Sequence, residues 1–236
     1  MHGEKEHDAR GLLRFFGRRK SRPLKPHQQK LMQDLLPAIQ LTGDDAELLA
    51  RPARLFAPPA DHMGLEIGFG GGEHLARQAA ENPDWGYIGC EPFVNGVAKL
   101  LVSIEQANLA NIRIWDEDAR RLLPLLGDET FARVWLLYPD PWPKTRHHKR
   151  RFVNQETLAG IHRILEPGGE FFFASDIDHY VAWTLEHVRR HGGFDWLAER
   201  AADWRGPPAG WQATRYEKKA LKAGRSPCYL RFVKST

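Results

Sequence analysis

Cysteine is almost absent from this chain. Cys90 and Cys228 are the two thiols in 236 residues, and no CxxC pair or HExxH helix accompanies them. A zinc ribbon, a zincin site and a disulfide framework are thereby excluded, no metal is expected, and the reducing cytoplasm is the natural setting. Long apolar runs are missing too. No stretch reaches the roughly 18 residues of a membrane span, and the opening MHGEKEHDARGLLRFFGRRK has no apolar core of signal-peptide length. Neither export nor membrane insertion is expected. No internal repeat is present, which excludes a repeat architecture.

What the chain does have is unevenly placed charge. The formal net charge is only +4, yet residues 1–30 hold nine Lys/Arg against three acids, residues 142–151 five against none, and residues 214–236 seven against one. The remainder is therefore strongly acidic. Opposite charge in separate blocks on one fold is the footprint of a nucleic-acid binder, with plain solvated surface as the alternative. Residues 1–30 show no sustained periodicity and are expected to form a flexible basic arm able to order on a polyanion. Residues 31–236 have the length of one α/β domain.

Short apolar runs alternate with helical patterns along that domain. A strand at Gly64–Ile67 runs into Gly68-Phe-Gly-Gly-Gly-Glu73, followed by an amphipathic helix that stops before Asn82-Pro83. Gly68, Gly70 and Gly72 would let a ligand approach the backbone. The spacing is neither GxGxxG nor a P-loop, because Glu73 holds the third-glycine position and no Lys-Ser/Thr follows. A pyrophosphate would meet Glu73 unfavourably, whereas the sulfonium and ammonium of S-adenosylmethionine suit an acidic loop. The next strand, Gly86–Cys90, ends in Glu91, where a ribose-binding acid belongs, and Pro92 opens a helix with Val97, Leu100, Leu101 and Ile104 on one face. Asn111–Trp115 delivers Asp116, Glu117 and Asp118, and Asp118-Ala119 fits an adenine amino group and ring, or a simple helix cap.

A fourth run, Val134–Tyr138, reads as a strand buried on both faces and stopped by Pro139, Pro141 and Pro143. It presents Asp140 and Trp142 at a strand's carboxyl end, with Lys144, Arg146, Lys149, Arg150 and Arg151 directly behind. A carboxylate and an indole beside such a cluster suit a nucleobase on a phosphate backbone. A helix over Phe152–Leu165, a strand over Glu170–Ser175 leading to Asp176, a helix over Tyr180–Arg190, and strands over Phe194–Arg200 and Cys228–Lys234 complete the pattern, with Trp204–Pro227 expected as an irregular, cation-rich stretch. The fold class is therefore α/β, a doubly wound, mostly parallel seven-stranded sheet with one antiparallel strand near its edge. A nicotinamide-dependent oxidoreductase would leave the basic run idle, and a non-catalytic RNA-binding module would leave the strand-end acids unexplained.

Taken together, Leu65-Glu-Ile-Gly-Phe-Gly, Gly89-Cys-Glu-Pro, Asp118-Ala, Tyr138-Pro-Asp-Pro-Trp-Pro-Lys, the Arg146–Arg151 run, Ala174-Ser-Asp and Thr214-Arg-Tyr-Glu resemble the bacterial tRNA (guanine-N7-)-methyltransferases. Those enzymes have the Rossmann-like class I methyltransferase fold, and the resemblance covers the chain from about residue 60 onward. It implies S-adenosyl-L-methionine as cofactor and methylation of a tRNA guanosine, in the variable loop at position 46, by a monomer or homodimer. It also implies cofactor contacts at Glu66, Gly68, Gly70, Glu91, Asp118, Ala119 and Asp140, with Asp140 catalytic. Lys144, Arg146, Lys149, Arg150, Arg151, Asp176, Thr214, Arg215, Tyr216 and Glu217 would contact tRNA. Departures are small: Ser175 and Ile177 flank Asp176, and Arg215-Tyr216 stands where Lys-Phe is common.

Overall fold

The computed structural model describes residue 17 and residues 19–235, so most of the expected basic arm lies outside the described residues. The arm's expected end does not hold as an element boundary. Helix α1 begins at Pro26 and runs to Asp34, because proline at the first helical position is preorganised in φ and gives up an N–H that would have no partner anyway.

Seven strands form one sheet: β1 (His62–Ile67), β2 (Trp85–Cys90), β3 (Ile112–Trp115), β4 (Phe131–Leu137), β5 (Leu165–Ser175), β6 (Phe194–Trp196) and β7 (Cys228–Lys234). Their spatial order is β3-β2-β1-β4-β5-β7-β6, and β7 runs antiparallel to both its neighbours while every other pair is parallel. The chain winds outward from β1 to β3, then returns to place β4 on the other side of β1. Between β1 and β4 the order reverses, which is where open α/β sheets hold ligands. Register sharpens the point: Ile67 sits opposite both Cys90 and Leu136, so Gly68, Glu91 and the Tyr138 turn leave the sheet at nearly one level.

Strands sandwiched between helices must be apolar on both faces, and the side chains alternate accordingly. Leu65, Ile88, Val134, Leu136, Phe171, Phe173, Leu230 and Phe232 share one core layer with helices α4 (Gln155–Ile164) and α5 (Asp178–His191). Tyr87, Ile112, Ile114, Trp135, Leu137 and Tyr229 share the other with α1, α2 (Glu73–Glu81) and α3 (Val94–Ala107).

Several segments differ from expectation, and β5 is one, since it begins at Leu165 and not at Glu170. The helix expected from Phe152 starts at Gln155, because the Asn154 side chain accepts from Thr157 N at 3.0 Å and fixes the cap there. The basic run forms a 3₁₀ turn over Thr145–Arg150. Strand β6 stops at Trp196, four residues short of Arg200. Inside the stretch expected to be irregular lies an eight-residue helix, α6 (Arg215–Lys222), capped by Thr214, whose hydroxyl accepts from Glu217 N at 3.2 Å.

Candidate active site

At the reversal point opens a cavity of about 420 Å³, lined by Gly68, Gly70, Glu91, Asp118, Ala119 and Asp140 together with Trp142, Arg150 and Tyr216. Six residues assigned to cofactor from sequence thus surround one space. The seventh, Glu66, does not line it. Its carboxylate is buried at 3% exposure and accepts from His74 Nδ1 at 2.7 Å, beneath the glycine loop and between strand and helix. That ion-pair geometry fastens the start of α2 to β1.

The glycine loop is shaped for close approach. Gly68 and Gly70 have φ of 72° and 59°, which a side chain resists. Gly96 on α3 presses against the loop, since a Cβ there would stand 2.1 Å from Gly70 O. Gly96 is not among the residues expected at the site, although a glycine two residues inside the helix that follows Glu91-Pro92 is the signal for it.

Glu91 meets the loop from β2. Its Oε2 accepts from Gly70 N at 2.7 Å and its Oε1 from Phe93 N at 3.0 Å. Each oxygen keeps acceptor capacity, and the residue lines the cavity. Burial pushes the Glu91 carboxyl up to about 7, opposed by those two hydrogen bonds and reinforced by the charges of Asp140 and Glu66. Asp118 behaves as a cap: it accepts from Arg120 N at 2.9 Å and pairs with the Arg120 guanidinium at 2.6 Å while still lining the cavity.

Asp140 lies at the cavity mouth, and no hydrogen bond reaches its carboxylate among the described residues. Partial desolvation raises its pKa from the ordinary aspartate value. The turn carrying it is strained on either side, because Tyr138 and Trp142 have φ of 52° and 42°, left-handed values that bulky residues avoid. Prolines at 139 and 141 leave the acid little freedom between them. The Arg150 guanidinium sits 5.1 Å from the Trp142 ring centroid, and the His147 ring meets the same indole edge-on at 5.9 Å.

The residues assigned to tRNA divide into two groups. Lys144, Arg146 and Lys149 are exposed beside this turn, Arg150 lines the cavity, and Arg215 and Tyr216 are exposed at its other side. Arg151 corrects the sequence expectation of a phosphate contact. It is 3% exposed, donates to Pro141 O at 2.9 Å, lies 2.8 Å from His179 Nδ1, and stacks on Tyr180 and Trp183. This arginine pins the turn at residues 139–142 to α5. Glu217 is likewise buried at 3% and accepts from Trp211 Nε1 at 2.7 Å and Tyr229 Oη at 2.6 Å, which anchors α6 to β7. Asp176 pairs with Arg225, and Thr214 is the cap of α6.

The donor set fits a cationic cofactor with a ribose. Among the described residues no cation pairs with Glu91 or Asp140, and both resist ionisation, so a positively charged ligand relieves both. The glycine cradle admits its backbone-hugging part. No group of His, Cys, Asp and Glu able to hold a metal occurs among the described residues.

Comparison with known proteins agrees with this geometry. A family model described as "Putative methyltransferase" matches residues 60–229. The tRNA (guanine-N(7)-)-methyltransferase of Agrobacterium fabrum is 52% identical over 97% of this chain and 98% of its own length. That of Rhizobium meliloti is 53% identical over 95% and 96%. Among solved structures, the 16S rRNA methyltransferase KamB superposes with a TM-score of 0.60 at 17% identity, covering 83% of this chain and 95% of that one; at that identity the likeness speaks for the fold alone. With its family model spanning most of the chain and full-length relatives above half identity, this chain belongs to the bacterial tRNA (guanine-N7-)-methyltransferase family.

Proposed function

We propose that this protein transfers a methyl group from S-adenosyl-L-methionine to N7 of a guanosine in tRNA, the variable-loop guanosine at position 46. One observation carries the reading: an acidic cavity with a glycine cradle opens at a strained Pro-Asp-Pro-Trp turn whose rim bears exposed cations. The cofactor supplies an electrophilic methyl carbon on a sulfonium. Glu91 holds the ribose hydroxyls with its remaining lone pairs, Gly68 and Gly70 give the backbone close approach, and Asp118 with Ala119 border the adenine.

Guanine N7 already carries an in-plane lone pair, so no general base is required. The turn's task is alignment and desolvation of that nitrogen against the methyl carbon. Asp140, fixed between two prolines, orients the base and favours the positive charge that passes to it. Trp142, backed by Arg150, offers an aromatic face at the mouth. Lys144, Arg146, Lys149 and Arg215 hold phosphates around it. Incubation with unmodified tRNA and labelled cofactor, followed by mapping of the product, tests the reading. Label at N7 of guanosine 46 is expected, and label on another atom or none overturns it.

A further inference from the structure

Tyr216 is 49% exposed, yet its ring does something an idle surface ring does not. It lines the cofactor cavity and touches the glycine loop: a Cβ on Gly70 would stand 3.1 Å from Tyr216 Cε2. Gly70 also has φ of 59°, so the ring lies beside a loop residue whose backbone disfavours a side chain. Position is enforced from the next residue. Glu217 is buried and clamped by Trp211 and Tyr229, and Thr214 caps the same turn, so Tyr216 projects from a fixed point on α6. On its outer side the Arg215 guanidinium lies 5.7 Å from the ring centroid and 4.0 Å from Glu73 at the start of α2.

From this geometry we infer that the Tyr216 ring closes the glycine-loop side of the cofactor cavity and retards escape of S-adenosylmethionine. The inference rests on the cofactor assignment above. The ring and not the hydroxyl performs this role, because the atom nearest a Gly70 Cβ is a ring carbon and no hydrogen bond from the Tyr216 hydroxyl occurs among the described residues. Arg215 and Lys218 flank the ring on the exposed side of α6, so RNA held there presses on the same helix that holds the ring over the cavity. Bound tRNA therefore lengthens cofactor residence.

Stopped-flow and calorimetric measurement of S-adenosylmethionine and S-adenosylhomocysteine binding, with no RNA present, tests this directly. Tyr216→Ala is expected to raise the dissociation rate about two- to tenfold, the range set by removing one aromatic ring from the wall. Tyr216→Phe is expected to stay at the wild-type rate. Addition of tRNA should slow dissociation from the wild type and leave Tyr216→Ala unaffected. The ring is half exposed, so folding is not at stake, and an unchanged thermal midpoint verifies that. Equal dissociation rates for wild type and Tyr216→Ala, or a Tyr216→Phe variant as fast as Ala, would overturn the inference. Failure of the wild type to bind either ligand would instead remove the cofactor assignment beneath it.

Discussion

Glu91 shows how one side chain couples cofactor, pH and stability. Its carboxyl is raised from 4.5 to about 7 by burial, so between those values the folded protein keeps a proton that the unfolded chain releases. Stability contributed at this position therefore falls as pH rises from about 4.5 to 7 and is level above that, by something on the order of 3 kcal/mol. A cationic ligand and ribose hydroxyls both favour the ionised form, so cofactor affinity should rise through the same window. Denaturant titrations at pH 5 and pH 8 are expected to show wild type losing stability relative to Glu91→Gln as pH increases; parallel curves would mean the carboxyl titrates normally. At pH 8 the same variant should bind cofactor weaker by about 1 to 3 kcal/mol, the range for removing charge-assisted hydrogen bonds. Asp140, exposed and without a fold-supporting contact, presents the opposite case. Asp140→Ala should keep the thermal midpoint and lose about 10²-fold or more in turnover, and retention of a tenth of wild-type turnover would exclude it from the catalytic role.

At the scale of elements, two segments are held by residues whose letters suggest surface. The turn from Tyr138 to Arg151 keeps its strained dihedrals because Arg151 ties it, through Pro141 O and His179, to α5. Arg151→Ala should cost about 2 to 3 kcal/mol in chemical denaturation, the range for hydrogen bonds to a buried charge. Arg151→Lys should not restore it, since a single ammonium cannot reproduce the fork or the stacking. A loss below about 0.5 kcal/mol for Arg151→Ala, the size of an ordinary surface change, would show that the turn is held by its prolines alone. Helix α6 was legible in principle, since Thr214-Arg-Tyr-Glu217 has the Ser/Thr-x-x-Glu spacing of a helix start. Its Glu217, however, turns inward to Trp211 and Tyr229 instead of back to the cap, and that choice depends on partners delivered by β7.

Across the whole molecule, the basic segments meet around one acidic space. Gly17 of the amino-terminal segment, Arg150 of the central run and Tyr216 of the carboxyl-terminal block all line the cavity. The residues that follow, from Arg19 to Arg22, are held by Val94 N bonding to Arg19 O at 2.9 Å and by Asn95, which bonds Ser21 and Arg22. A triple change of Lys144, Arg146 and Lys149 to Gln should weaken tRNA binding most at low salt. Removing one phosphate partner reduces the slope of log affinity against log salt by about 0.9 on duplex and about 0.7 on single strand. Cofactor affinity should stay put, and an unchanged slope would return the run to solvated surface.

Local signals along the chain were enough to specify the alternation of strands and helices, the antiparallel final pair, the glycine turn and the acids at successive strand ends. Each is short in range: period two or 3.6 in apolar residues, φ-permissive glycines, or a fixed spacing within one βα unit. Packing of the elements on the sheet settled which charges work and which support. Arg150 and Arg151 are adjacent and chemically identical, yet one lines the cavity and the other lies buried against Trp183. Glu66 lies inside β1 opposite Gly89 and faces His74, while Glu91, just past the end of β2, faces the loop and cavity. The distinction rests on neighbours from other elements, brought in by packing against the sheet, and desolvation then fixes whether a charge meets a partner, a ligand or water.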